Sequence, residues 1–274
     1  ITHLLKGHDV IGQAQTGTGK TAAFSLPLID RIDIKNNQVQ LLVLTPTREL
    51  AIQVSEAIQT YSRHIKGFHV LPIYGGQSYD VQLRPLKRGV HAVVGTPGRV
   101  MDHLKRGTLK LNSLKALVLD EADEMLTMGF KEDLEMILSH TPKEKQTLLF
   151  SATMSKKVIA ITDSYMNNSK KIAAAAKNIT ADNVQHIYYM VNAKERYEVI
   201  KRIADINPNI YGIVFCRTRR ETKEIANKLM NDGYNADTLN GDLSQAERDE
   251  VMARFRKRQL QLLVATDVAA RGLD

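Results

Sequence analysis

Hydrophobic positions along the chain fall into short apolar runs separated by longer stretches with helical spacing. The runs predict strands at Val10–Ala14, Gln40–Thr45, His69–Tyr74, His91–Gly95, Ala116–Asp120 and Thr147–Phe150. Between them, Thr47–Ile65 carries Leu50, Val54, Ile58 and Tyr61 at a helical period, and Lys156–Tyr165 reads as a further helix. Ile1–Leu5 reads as the end of a helix stopped by Gly7. Strands alternating with amphipathic stretches are the pattern of a parallel sheet with crossover helices, so the expected class is α/β. The polar, alanine-rich segment 168–183 shows no core face and reads as a linker between a first domain, 1–167, and a second, 184–274. In the second, strands are expected at Val184–Val191, Ile210–Cys216, Ala236–Leu239 and Leu260–Thr266, with helices near Arg219–Asp232 and Ser244–Arg256. The chain opens on Ile1 and closes on Asp274 just after a strand and a glycine turn, so it reads as a fragment with a truncated second domain.

Composition narrows the class. With 43% hydrophobic and 25% charged residues in 274, the chain is ordinary for a globular protein and unlike a disordered one. A single cysteine, Cys216, excludes a disulfide scaffold; it continues an apolar strand and reads as a buried thiol. With no Trp and 6 Phe, stacking on many aromatics is not the working principle. No apolar run approaches the ~20 residues of a membrane span, and no signal peptide is visible, which points to the cytoplasm and away from a membrane partner. The net charge of +8 favours a polyanionic partner, nucleic acid first, although a solvated basic surface would give the same number. The eight histidines show no metal-ligand spacing, and Lys170–Lys171 reads as solvated.

Ala14-Gln15-Thr16-Gly17-Thr18-Gly19-Lys20-Thr21 lies between a predicted strand and helix and matches the phosphate-loop pattern, except that Ala14 replaces its first glycine. Gly17 and Gly19 would let the backbone aim N–H groups at phosphate oxygens at a helix N-terminus. Lys20 would reach the β- and γ-phosphates, and the Thr21 hydroxyl would ligate Mg²⁺. A plain glycine-rich turn is the alternative. Leu117-Val118-Leu119-Asp120-Glu121-Ala122-Asp123 ends an apolar strand in acids, where α/β sheets bind ligands. Asp120 would hold Mg²⁺, and Glu121 would act as general base or orient the attacking water. An acidic helix N-terminus would look similar. Together the two motifs point to a Mg²⁺-dependent nucleoside triphosphatase.

The tetrad Asp120-Glu121-Ala122-Asp123 spells DEAD, and with the phosphate loop the chain resembles the DEAD-box ATP-dependent RNA helicases. The resemblance extends through Pro46-Thr47-Arg48-Glu49-Leu50, Gly75-Gly76, Thr96-Pro97-Gly98-Arg99 and Ser151-Ala152-Thr153. It continues through Val214-Phe215-Cys216-Arg217-Thr218, Gly241-Asp242-Leu243-Ser244-Gln245 as far as Arg248, and Ala265-Thr266-Asp267 to Asp274. Its wording is most like bacterial cold-shock-type members, Gram-positive ones among them.

The resemblance implies two RecA-like P-loop domains, with ATP in the cleft and RNA across both. It assigns Gln15, Thr16, Gly17, Thr18, Gly19, Lys20 and Thr21 to the nucleotide, with Asp274 near the ribose and Arg271 on the same loop. It assigns Arg48, Gly76, Thr96 and Arg99, and from the second domain Arg217, Gly241, Gln245, Arg248 and Thr266, to the RNA sugar-phosphate backbone. Ser151 and Thr153 would couple the two ligands, although a local turn or cap would use the same residues. An RNA-processing or degradation complex is the expected protein setting. The family's glutamine motif would precede Ile1 and its arginine-finger motif would follow Asp274. Loss of such a finger costs about 10³–10⁵ in rate in related systems, so the isolated chain is expected to turn over weakly. One rival is an ATP-gated RNA clamp that does not unwind. The other, a DNA helicase or unrelated P-loop ATPase, fits the DEAD and Ser-Ala-Thr sequences less well.

Overall fold

The computed structural model describes residues 1–14, 17–173 and 185–266. These fall into two compact units, one within 1–173 and one within 185–266. In the first, α1 (Thr2–Leu5) leads to β1 (Val10–Gln13), α2 (Lys20–Asp30), β2 (Leu41–Leu44), α3 (Arg48–Tyr61), β3 (Val70–Ile73), α4 (Tyr79–Arg88) and β4 (Ala92–Gly95). There follow α5 (Pro97–Lys105), β5 (Ala116–Leu119), α6 (Ala122–Thr127), α7 (Lys131–Ser139), β6 (Gln146–Ser151), α8 (Lys156–Tyr165) and β7 (Lys170–Ala173).

The seven strands form one sheet in the order β3-β4-β2-β5-β6-β1-β7, and every pairing is parallel. Successive side chains on a strand point to opposite faces, so a sheet covered on both sides needs unbroken apolar strands. Leu42, Leu44, Leu117 and Leu119 join a core against Val100 of α5, Met125 of α6, Leu134 of α7 and Val158 of α8. Leu41, Val43, Ala116 and Val118 face the other way, against Phe24 of α2 and Val54 and Ile58 of α3. Leu117 is fully buried, and truncation to Ala would cost about 2–5 kcal/mol.

Helix starts follow local chemistry. The Thr47 hydroxyl caps α3 by accepting from Leu50 N–H, Ser155 caps α8 through Val158 N–H, and Pro97 opens α5.

The second unit begins with a short 3₁₀ turn at Ala193–Glu195 and continues through α9 (Arg196–Asp205), β8 (Gly212–Cys216) and α10 (Arg219–Asn231). It then runs through β9 (Ala236–Leu239), α11 (Gln245–Arg256) and β10 (Leu262–Thr266). Its parallel sheet has the order β8-β10-β9, with Leu229, Leu262 and Val264 in its core. A reciprocal capping box of Ser244 and Glu247 starts α11. Cys216 is buried, and burial pushes its thiol up to about 11.

Two segments differ from the sequence expectation. Lys170–Ala173, read as the start of a linker, is an edge strand bonded to β1, and all four of its residues are exposed. An edge strand held through backbone bonds leaves no hydrophobic alternation to read. Val184–Val191 was expected to be a strand; residue 184 lies outside the described residues, and 185–191 form no strand. Tyr188 and Met190 there are 85% and 90% exposed. Apolar β-formers supply a preference, but a strand also needs a neighbour for its ladder. Among the described residues no helix is long and apolar enough to cross a membrane.

Candidate functional site

Because all seven strands of the first unit run the same way, their carboxyl ends lie along one edge, where open α/β sheets place ligand-binding loops. The phosphate-loop residues 17–21 follow β1, Ser151 ends β6, and Asp120 follows β5; these three strands are neighbours in the order β5-β6-β1. Arg48 follows β2, Thr96 follows β4 and Gly76 follows β3, which form the adjoining stretch β3-β4-β2.

In the first stretch, Gly17 and Gly19 have φ of +79° and +81°. This left-handed backbone suits glycine and carries the loop into α2. Lys20, the first residue of α2, places Nζ 3.8 Å from Asp120 Oδ1. Asp120 is only 3% exposed and also accepts the Glu121 N–H at 3.1 Å. Burial raises its carboxyl pKa, with the Lys20 ammonium opposing. Glu121 is half-buried; burial, then the neighbouring Asp120, push it up to about 7. Its φ of +53° is a left-handed conformation that a non-glycine residue adopts at a cost, of the kind found at functional sites.

The Ser151-Ala152-Thr153 turn is tied to both neighbours. Thr153 donates its backbone N–H and its hydroxyl to Asp123 Oδ2, at 2.9 and 2.8 Å. The fully buried Ser151 donates its hydroxyl to the Thr153 carbonyl at 2.6 Å, and Ala14 N–H reaches the Ser151 carbonyl at 3.2 Å. On the other side Gln13 donates to the Ala152 carbonyl at 3.3 Å. The turn therefore bridges the strand leading into the phosphate loop and the acidic tetrad.

These residues fit a nucleoside triphosphate with Mg²⁺. A Cβ built at Gly17 or Gly19 meets nothing within 4 Å, so the loop faces open space. Thr21 and Asp120 offer the hard oxygen ligands magnesium takes, and the cation's remaining ligands would be phosphate oxygens and water. Among the described residues no group of three or more His, Cys, Asp or Glu could hold a metal by itself. Gln15, Thr16, Arg271 and Asp274, expected at the nucleotide, lie outside the described residues.

In the second stretch Arg48 lies over Gly76: a Cβ there would meet Arg48 Nη1 at 2.5 Å, and the glycine has φ of +87°. Thr96 N–H bonds the Ile73 carbonyl at 3.0 Å, fixing the β4 end beside β3. Arg99, on the first turn of α5, donates from Nη1 to the Gln77 carbonyl at 3.1 Å and to Gln82 Oε1 at 3.2 Å. Arg48, Gly76, Thr96 and Arg99 thus share one run of the edge, although they come from three connections.

The second unit groups its expected residues less uniformly. Arg217 is exposed after β8, and its N–H reaches Glu221 Oε2 at 3.1 Å. Gly241 follows β9 with the Arg219 guanidinium against it, itself paired with Asp242 at 3.0 Å. Gln245 donates to Asp249 at 2.8 Å, and Thr266 ends β10 half-buried. Arg248 is buried, and its Nη1 reaches the Asn240 carbonyl at 3.4 Å, so the structure holds it inside α11's packing face.

The comparisons with known proteins agree with this architecture. Residues 1–161 match the DEAD/DEAH box helicase family, and residues 195–274 match the helicase conserved C-terminal domain. The chain belongs to the DEAD/DEAH box helicases. Its fold class is that family's, α/β with two RecA-like domains. Over 270 residues it is 52% identical to a DEAD-box ATP-dependent RNA helicase CshA of Geobacillus kaustophilus, covering 98% of this chain and 58% of that protein. It is 51% identical to the ATP-dependent RNA helicase DeaD of Buchnera aphidicola, over all of this chain and 45% of the relative. The chain therefore spans about half the length of the curated relatives it matches. A solved structure of S. cerevisiae Dbp5 bound to RNA and ADP BeF3 is similar with a TM-score of 0.86 at 29% identity, covering 96% of this chain and 67% of that one. A DEAD box protein from Methanococcus jannaschii is similar at 42% identity and a TM-score of 0.61, covering 99% and 73%.

Sequence reasoning gave Asp123 no separate role, although the tetrad contains it; its bonds to Thr153 exist only across β5 and β6. It also passed over Gln82 and His103 in this DEAD-box chain, which are fully buried polar residues beside Arg99. The one available signal was two polar residues at core positions of short amphipathic helices.

Proposed function

We propose that the protein is an ATP-dependent RNA helicase that grips the RNA sugar-phosphate backbone and locally unwinds duplexes, using Mg²⁺-dependent ATP hydrolysis in the cytoplasm. The observation that carries the reading is the approach of Lys20 to Asp120 at 3.8 Å, on the edge that also presents Arg48 and Arg99.

Lys20 and the loop N–H groups bind the phosphates, while Thr21 and Asp120 hold the cation. When bound, magnesium supplies positive charge to the phosphate oxygens. Glu121 orients the attacking water or accepts its proton, a role favoured by a carboxyl pKa near neutrality. The Ser151–Thr153 turn couples nucleotide to RNA, a role supported on the nucleotide side by the hydrogen bonds from Thr153 to Asp123. Arg48 and Arg99 pair with phosphates, Gly76 and Thr96 allow close backbone approach, and Arg217, Gly241, Gln245 and Thr266 add second-unit contacts, with the buried Arg248 bracing the Asn240 carbonyl behind them. Contacts of this kind carry little base information, so binding is sequence-independent, and ribose 2′-OH contacts select RNA over DNA. An RNA-processing or degradation complex is the proposed setting for the intact protein.

The test is displacement of a labelled strand from an RNA duplex by the intact protein, with ATP turnover measured alongside with RNA, with DNA and with neither. ATP-dependent displacement with RNA-stimulated turnover supports the reading. Equal stimulation by DNA overturns the RNA assignment. A long-lived RNA complex without displacement would favour a clamp instead.

A further inference from the structure

Gln82, on α4, is fully buried and uses every hydrogen-bonding position of its amide. Nε2 donates to the Tyr74 carbonyl and to Gln77 Oε1, both at 2.9 Å. Oε1 accepts from Arg99 Nη1 at 3.2 Å and lies 2.9 Å from His103 Nε2. An amide has two donor hydrogens and two acceptor lone pairs, so all four positions are filled. The Tyr74 carbonyl can only accept, which fixes the amide's orientation and requires the His103 proton on Nε2. His103 Nδ1 then faces the Thr108 hydroxyl at 2.8 Å. Burial, with Arg99 nearby, pulls the His103 pKa down to about 4, so the ring stays neutral.

The network ends on Arg99. Both Nη1 hydrogens are taken, by Gln82 and by the Gln77 carbonyl. The guanidinium also lies 4.8 Å over the Tyr79 ring, with Arg106 at 4.3 Å to the same ring. A guanidinium has five N–H donors, so three remain outside this network. A side chain clamped in this way loses less rotamer freedom when it pairs with a phosphate.

We propose that Gln82 is a positioning residue for RNA, holding the Arg99 guanidinium at the angle from which its remaining donors meet the sugar-phosphate backbone. This rests on the reading of Arg99 given above. A role confined to stability would instead lower RNA and nucleotide binding together and leave the salt dependence of RNA binding unchanged.

The experiment measures affinity of the intact protein for a fluorescein-labelled oligouridylate, with Mg²⁺ and a non-hydrolysable ATP analogue, across a series of salt concentrations. Four proteins are compared: wild type, Arg99→Ala, Gln82→Met and the double variant. Arg99→Ala is expected to weaken binding and flatten the log affinity against log salt slope by about 0.7, the loss of one single-strand phosphate contact. Gln82→Met is expected to lose roughly three- to tenfold, to flatten the slope in the same direction, and to leave ATP-analogue affinity unchanged. The double variant should be no weaker than Arg99→Ala. Wild-type affinity in Gln82→Met, or losses that multiply in the double variant, overturn the positioning role. Wild-type affinity in Arg99→Ala overturns the reading of Arg99 itself, and the positioning role with it. If Gln82→Met loses its fold, shown by absent nucleotide binding, His103→Leu replaces it in the same cycle. That change removes the ring's hydrogen bonds to Gln82 Oε1 and to the Thr108 hydroxyl, so the amide loses one of its braces, and the same outcomes decide.

Discussion

Along β5, β6 and β1 the carboxyl edge of the first sheet is acidic and strained; along β3, β4 and β2 it is basic and braced. The acidic stretch holds Asp120 nearly out of solvent with the Lys20 ammonium at 3.8 Å, and it keeps Glu121 in a left-handed backbone. The basic stretch spreads a guanidinium over Gly76 and ties another to a fully satisfied amide. Reactive groups need perturbed surroundings, because burial and like charge shift a carboxyl toward neutrality. Backbone-gripping groups need a fixed geometry and a permanent charge, which arginine supplies without any pKa tuning.

If the two stretches divide the work in this way, substitutions should separate turnover from RNA grip. The largest effect is expected from Glu121→Gln: ATP turnover should fall at least about 10²-fold, with nucleotide affinity within about twofold in equilibrium binding. Unchanged turnover would remove Glu121 from the chemistry.

Next in size is a pH effect seated in the basic stretch. The His103 pKa in the fold is about 4 against an ordinary 6.5, set by burial and by Arg99 and Arg106, with Asp102 opposing. The unfolded chain therefore takes up a proton before the folded one does. Its contribution to stability is complete above about pH 6.5 and is lost as pH falls toward 4, roughly 3 kcal/mol over the window. Urea midpoints of wild type should fall more steeply than those of His103→Leu between pH 7 and 5. Parallel slopes would show that this ring is not the group responsible.

Lys20→Ala should weaken nucleotide binding roughly 10- to 100-fold, since it removes a charge-assisted contact, while RNA affinity without nucleotide holds. The smallest effect is expected from Thr153→Val, which keeps the N–H bond to Asp123 and removes the hydroxyl bond. Nucleotide and RNA should each bind nearly as before. The factor by which the ATP analogue tightens RNA binding should drop roughly three- to fivefold. Intact coupling would sever the turn from its linking role.

Much of the acidic stretch was legible in the sequence because its residues sit close together on the chain. A strand, a glycine loop and Lys20-Thr21 occupy one short run, and the tetrad directly follows an apolar strand. The basic stretch was legible only through its resemblance to a family, since Thr96-Pro97-Gly98 or Gly75-Gly76 alone reads as an ordinary turn. α4 was not anticipated: its mean hydropathy is low, it contains Pro85, and its buried anchor is the polar Gln82. Polar β7 reads as linker and Val184–Val191 reads as strand from residue type alone, because in both cases neighbouring strands decide and residue type does not.

By itself, the sequence determined the α/β class, the phosphate loop, the acidic tetrad and the positions of most strands and long helices. Those follow from residue period and local backbone chemistry. Only the tertiary structure decided that Lys20 meets Asp120, that Asp123 holds Thr153, and that Gln82 clamps Arg99. Each of these contacts joins segments that follow different strands, and the strand order that brings them together is set by packing across the whole sheet.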